Sequence, residues 1–168
     1  VAGYVWFHGW MGVQDSGGAR WRGAGAVEVV CVAVGCGYGP IGLFAAKKWP
    51  GRQVDMVDVN ERAMDLARRN AAANGAGNVN IFASDRYQEV SGQYAMIVTN
   101  PPIRAGKAIW SSILSEAKDH LTDGGILLVV IQKKQGAPSA KKLMAASLGN
   151  CEILTRDKGY YILKSVKK

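Results

Sequence analysis

At 168 residues the chain is one domain's worth of polypeptide, and 48% hydrophobic against 20% charged residues supplies enough apolar matter for a core, which excludes a disordered chain. Its longest aliphatic run, Ile126 to Ile131, falls far short of the ~20 residues of a spanning helix, so no membrane partner is expected. Three cysteines in no CxxC pair exclude a disulfide scaffold and suit a reducing, cytoplasmic setting, while the net charge of +8 favours a polyanionic partner, nucleic acid above all.

Residues 1–27 differ in kind from the rest. Trp6, Trp10 and Trp21 lie among glycines, and Gly17-Gly18 and Gly23 interrupt any helical or strand period. This stretch is set apart as an atypical Gly/Trp-rich segment. Its apolar start, Val1 to Val13, has no basic lead, so no signal peptide is expected there. From residue 28 onward the chain reads as one regular domain. Val27 to Val34 is apolar and β-rich, as a strand buried on both faces should be, and it runs into the turn Gly35-Cys36-Gly37-Tyr38-Gly39. Ile41 to Lys48 reads as a helix with Pro40 at its start, and Val54 to Val59 as the second strand.

Glu61 to Asn74 is a helix capped by Asn60, with Ala63, Leu66, Ala67 and Ala71 on its inner face, ended by Asn74-Gly75. Asn80 to Ala83 and Ala95 to Thr99 are short strands. A helix is expected from Lys107 to Leu121, closed by Asp123-Gly124-Gly125, then a strand from Ile126 to Ile131 and a helix from Ser139 to Leu148. Cys151 to Thr155 and Tyr160 to Ser165 finish the chain as strands. Alternating strands and helices imply a parallel sheet covered on both faces. The last two strands are joined too briefly for a parallel crossover, so that pair must be antiparallel.

Two loops carry the chemistry. Gly37-Tyr38-Gly39-Pro40-Ile41-Gly42 matches G-x-G-x-x-G, and Asp58 ends the next strand, as in a dinucleotide site. The turn already opens at Gly35, one glycine early, so the loop is wider and an adenosine-bearing ligand other than a dinucleotide also fits. A carboxylate at Asp58 can accept from two ribose hydroxyls, and Asp85, placed at the end of the third strand, can accept from the adenine amine. After the fourth strand comes Asn100-Pro101-Pro102-Ile103. Two prolines remove N–H donors and stiffen the backbone, which leaves acceptors: the Asn100 side chain and the Pro101 carbonyl. Two rigid acceptors suit a planar –NH2 group and the positive charge it gains on alkylation.

With Val57-Asp58-Val59-Asn60-Glu61-Arg62-Ala63, the glycine turn resembles class I S-adenosylmethionine-dependent methyltransferases. Thr99-Asn100-Pro101-Pro102-Ile103-Arg104-Ala105-Gly106-Lys107 narrows the resemblance to the small-subunit ribosomal RNA methyltransferase C-like group, the methyltransferase small domain family. Ile131-Gln132-Lys133-Lys134-Gln135-Gly136-Ala137 and Lys158-Gly159-Tyr160-Tyr161 look like its single-domain members. The resemblance covers residues 28–168. It implies an α/β, Rossmann-like three-layer methyltransferase fold with a mostly parallel seven-stranded sheet whose last strand is antiparallel. It also implies S-adenosyl-L-methionine as cofactor and methylation of an exocyclic base amine, guanine N2 in ribosomal RNA or a ribosomal subunit.

By the same resemblance Gly35, Cys36, Gly37, Tyr38 and Gly39 would line the methionine part, Asp58 the ribose, Val59 and Asp85 the adenine. Asn100 and Pro101, followed by Pro102, would hold the target amine, with Ile103 against the base. Three departures stand out. Ala33 replaces an acidic residue before the turn, Ala95 replaces an Asp after Tyr94, and residues 1–27 do not match the usual lead-in.

Arg104, Lys107, Lys133 and Lys134 cluster near the acceptor loop and are expected to meet RNA phosphates, whereas Lys164, Lys167 and Lys168 read as a solvated tail. His8 and His120 lack ligating neighbours, so no metal is expected. Two competing readings are a protein glutamine-amide methyltransferase and a non-catalytic cofactor- or RNA-binding module.

Overall fold

The structure, a computed structural model, describes residues 29–35 and 39–168. Its strands are β1 (Val29–Val34), β2 (Gln53–Asp58), β3 (Val79–Ala83), β4 (Tyr94–Thr99), β5 (Leu121–Gln132), β6 (Glu152–Asp157) and β7 (Tyr160–Val166). They form one sheet in the order β3-β2-β1-β4-β5-β7-β6, parallel from β3 to β5. β7 runs antiparallel to both β5 and β6. The β6–β7 connection is two residues, shorter than the four read from sequence. Lys158 (φ 51) and Gly159 (φ 80) both take positive φ, the tight hairpin geometry that matches strand twist.

Helices α1 (Pro40–Lys48) and α2 (Glu61–Ala73) cover one face, and α3 (Lys107–Ser115) and α4 (Ala137–Leu148) the other. The period-2 alternation of β5 shows why both faces need cover. Leu128 and Val130 pack with Leu43 and Ala46 of α1, while Leu127, Val129 and Ile131 pack with Ile113 and Met144 of α3 and α4. At α2 the cap is the expected one: Asn60 Oδ1 accepts from the Ala63 amide at 3.1 Å. Its buried stripe, however, is Met64, Ala67 and Ala71, and Leu66 is left exposed.

Three other expectations are corrected. The helix expected to reach Leu121 stops at Ser115, tightens into a 3-10 turn over Glu116–His120, and gives way to β5 because Leu121 pairs with Tyr94. Asp123-Gly124-Gly125 is consequently no helix stop. It kinks the start of β5, with Gly124 at φ 79 and its amide donating to the Lys167 carbonyl at 2.7 Å. The tail lysines are not simply solvated either. Lys164 is buried with Glu152 at 3.7 Å, and Lys167 Nζ donates to the carbonyls of Lys118 and Leu121. Among the described residues no helix is long and apolar enough to cross a membrane.

Candidate active site

Sheet order determines where a ligand can enter. Chain direction of travel reverses between β1 and β4, so their following loops part and open a crevice at the carboxyl edge. The two strand ends are tied together at this point: Thr99 Oγ1 donates to the Val34 carbonyl at 2.9 Å, a buried bond spanning 65 residues of chain. Gly35, just past β1, has φ 68, and Gly39, at the start of α1, has φ 100, conformations in which other side chains would be strained. Cys36, Gly37 and Tyr38 lie outside the described residues, as do residues 1–28.

The third glycine of the motif acts through packing. A Cβ on Gly42 would stand 2.7 Å from Cγ and Sδ of the fully buried Met56, so its absence lets α1 lie close against β2. Beside it, half-buried Asp58 ends β2. Its Oδ1 accepts from the amides of Val59 (2.7 Å) and Asn60 (3.0 Å), which fixes the carboxylate's direction. The Ser84 amide donates to the Asp58 carbonyl at 3.0 Å and brings the chain after β3 alongside. Val59 is a large apolar side chain left 71% exposed, an uncovered platform next to that carboxylate.

Asp85 lies two residues beyond β3 rather than at its end, because the strand stops at Ala83 and the chain bends. Arg86 grips its carboxylate from both sides, Nε to Oδ1 at 3.0 Å and Nη2 to Oδ2 at 3.2 Å, and also donates to Ser112 Oγ of α3 at 2.8 Å. This hydrogen-bonded guanidinium holds the Asp85 carboxyl below its ordinary range. Arg86 reaches both partners from a backbone φ of 55, uncommon for a non-glycine residue. Sequence reasoning passed over Arg86 and Thr99, although the adjacent opposite charges of Asp85-Arg86 were a visible signal.

In the loop after β4, Asn100 and Pro102 are exposed and Pro101 is buried. The Pro102 carbonyl accepts from the Ala105 amide at 2.9 Å and the Ile103 carbonyl from Gly106 at 3.2 Å, closing a 3-10 turn over Ile103–Ala105. Among the described residues no protein donor meets the Asn100 side chain or the Pro101 carbonyl. Ile103 is half-buried and packs against the core beneath α3. Arg104, Lys107, Lys133 and Lys134 are exposed, the first two in the turn after Pro102 and at the start of α3, the others directly after β5. Among the described residues no group of three or more His, Cys, Asp or Glu could hold a metal ion.

The model of the methyltransferase small domain matches residues 26–164. The chain belongs to the methyltransferase small domain family. The relatives it matches include ribosomal RNA small subunit methyltransferase C proteins, each over only part of their length. It is 46% identical over 143 residues to the uncharacterized protein YbxB of Bacillus subtilis, covering 84% of this chain and 71% of that one. It is 42% identical over 100 residues to ribosomal RNA small subunit methyltransferase C of Aeromonas hydrophila, covering 57% of this chain but only 29% of that protein. In fold it is similar to T. thermophilus 16S rRNA N2 G1207 methyltransferase (RsmC), solved with AdoMet and guanosine. That match has a TM-score of 0.78 at 21% identity and covers 98% of this chain and 43% of the other. The chain thus spans less than half of these two methyltransferases.

S-adenosylmethionine is the cofactor of this family, and the residues present fit it. Asp58 is an oriented carboxylate that could accept from a diol, exposed Val59 an apolar surface on which a purine could lie, and Asp85 a carboxylate that could accept from its amine.

Proposed function

We propose that this chain methylates an exocyclic amine of a nucleobase, guanine N2 of ribosomal RNA, using S-adenosyl-L-methionine. The observation that carries the reading is the pair of open acceptors, Asn100 Oδ1 and the Pro101 carbonyl, on a proline-stiffened loop at the edge where β1 and β4 diverge. The bound cofactor supplies a methyl group already activated by a positive sulfur. Gly35 and Gly39 would flank its methionine part, Asp58 would take the ribose hydroxyls, and Val59 and Asp85 would take the adenine.

Asn100 and Pro101 accept the two N–H bonds of the target amine. They turn its lone pair out of conjugation with the base and toward the methyl. As the new C–N bond forms, the nitrogen becomes positive, and both acceptor bonds strengthen. Bonds that are stronger in the transition state than in the ground state raise turnover. The leaving group would be the cofactor's sulfur, made neutral by loss of the methyl, and the amine nitrogen would release a proton to water, so no strong base is needed. Ile103 flanks the base, and Arg104, Lys107, Lys133 and Lys134 meet RNA phosphates. Thr99 keeps cofactor loop and acceptor loop in register through its bond to Val34.

The test is a methyl-acceptor comparison with labelled cofactor, offering unmodified small-subunit ribosomal RNA and, separately, a glutamine-bearing protein acceptor. Label recovered as N2-methylguanosine supports the proposal. Label on a glutamine amide replaces it with a protein substrate, and no transfer to either, despite cofactor binding, reduces the chain to a binding module.

A further inference from the structure

The sequence reading placed RNA contacts next to the acceptor loop and none on the last hairpin. The fold carries the hairpin to the same edge. Because β7 is antiparallel, its first residue, Tyr160, pairs with Gln132 at the carboxyl end of β5. Two bonds seat it there. The Lys133 amide donates to the Gly159 carbonyl at 2.9 Å, and Gln132 Nε2 donates to the Tyr160 hydroxyl at 2.8 Å. With a two-residue turn at positive φ, this tip is held in place from both sides.

Charge is distributed unevenly along that edge. On the β3–β2 side, Glu61 and Asp65 share Arg68, Asp85 is bonded by Arg86, and Asp58 adds a further carboxylate, so these groups carry no cationic excess. On the other side, running through β4, β5, β7 and β6, stand Arg104, Lys107, Lys133, Lys134 and Arg156, with Lys158 next to Asp157 at the hairpin tip. Arg156 is exposed, with its guanidinium carbon 5.4 Å from the centroid of the Tyr161 ring. This cation–π contact with a half-buried ring restrains the guanidinium, and among the described residues its N–H donors meet no protein acceptor.

We propose that the β6–β7 hairpin tip, Arg156 to Tyr161, is a docking surface for the RNA phosphates that flank the target base. This rests on the RNA methyltransferase reading and extends it. Three strand spacings of ~4.8 Å separate β4 from β6, about 14 Å in all, a reach of only a few backbone phosphates from the target base. The cationic residues thus gather on the half of the edge that serves a polyanion, and the half that serves a cationic cofactor shows no such excess.

The experiment measures binding of unmodified small-subunit ribosomal RNA across a salt series for the parent chain, for Arg156→Gln with Lys158→Gln, and for Arg156→Lys. Losing two phosphate contacts should lower the log–log salt slope by about 1.4 and weaken binding on the order of twentyfold at ~0.1 M salt. Arg156→Lys should stay near the parent. Affinity for S-adenosylmethionine and the melting midpoint should be unchanged in all three, showing an intact fold. A double variant with the parental slope would overturn the docking surface while leaving the methyltransferase reading standing. Equal loss in Arg156→Lys would overturn it too, since charge would not be the cause. A parent that binds the cofactor but shows no salt-dependent RNA binding would instead sink the RNA reading and the surface with it.

Discussion

Asp58 performs two tasks that can be separated by substitution. One carboxylate oxygen caps the turn after β2 by accepting from the amides of Val59 and Asn60 at 2.7 and 3.0 Å, and the proposed role of the group is to hold the ribose diol. Asp58→Asn keeps an oxygen for the two amides but removes the charge and puts an NH2 group in place of the other acceptor. Stability should therefore fall by no more than about 1 kcal/mol, or ~2–4 °C in a domain of this size. Affinity for S-adenosylmethionine should fall much further. Two hydrogen bonds to a charged acceptor are worth roughly 1.5–3 kcal/mol each, and 1.4 kcal/mol is a factor of ten, so Asp58→Ala should weaken binding about a hundredfold or more. The asparagine variant, with weaker neutral bonds, should weaken it about tenfold. Calorimetric titration gives the affinities and thermal melting the stabilities. Unchanged affinity in the asparagine variant would refute the ribose assignment, and a large loss of stability there would mean that the charge serves the fold.

Further expectations concern the packing beneath the site and the neighbouring carboxylate. Gly42→Ala should lower the melting temperature, because the new methyl meets Cγ and Sδ of Met56 at mid-chain, where the side chain cannot swing away. Overpacking of this kind costs roughly 1–3 kcal/mol, more than the ~1 kcal/mol gained in helix propensity, and a variant melting at or above the parent would contradict the close contact. Arg86→Gln should move the Asp85 titration upward toward the ordinary carboxylate range, since the guanidinium bond is the main cause of its depression. The sign follows from linkage: Asp85 ionised and paired with Arg86 supports the fold above its unfolded pKa, and that support is lost as pH falls through the depressed folded value. Carboxyl NMR titration of both proteins checks it, and an identical midpoint would show that Arg86 does not set it.

The alternation of strands and helices was legible because each element announces itself locally: apolar runs for the buried strands, a capping Asn60, Pro40 at a helix start. What was not legible depends on partners distant in sequence. Whether residues 116–121 continue α3 or begin β5 is decided by the pairing of Leu121 with Tyr94, 27 positions earlier. Lys167 reads as a solvated cation until the fold brings the carbonyls of Lys118 and Leu121 to its amine.

The candidate site divides in the same way. Asp58 and the Asn100-Pro101-Pro102 loop could be found because their chemistry follows from residue type and position after a strand. Which acceptors of that loop remain open could not, since it depends on the 3-10 turn consuming the carbonyls of Pro102 and Ile103. The Thr99–Val34 bond was hidden for a related reason: it joins the ends of two strands that become neighbours only in the folded sheet.

The most direct test of the central claim is single-turnover methylation of unmodified small-subunit ribosomal RNA by the parent and by Asn100→Ala, at saturating S-adenosylmethionine, with cofactor affinity measured separately by calorimetry. Loss of one preorganised acceptor at the developing charge should slow methyl transfer on the order of 10²–10³-fold while affinity stays within a few-fold. Near-parental turnover in the variant would contradict the acceptor-loop account, and a joint collapse of turnover and cofactor binding would assign Asn100 to the cofactor or the fold instead.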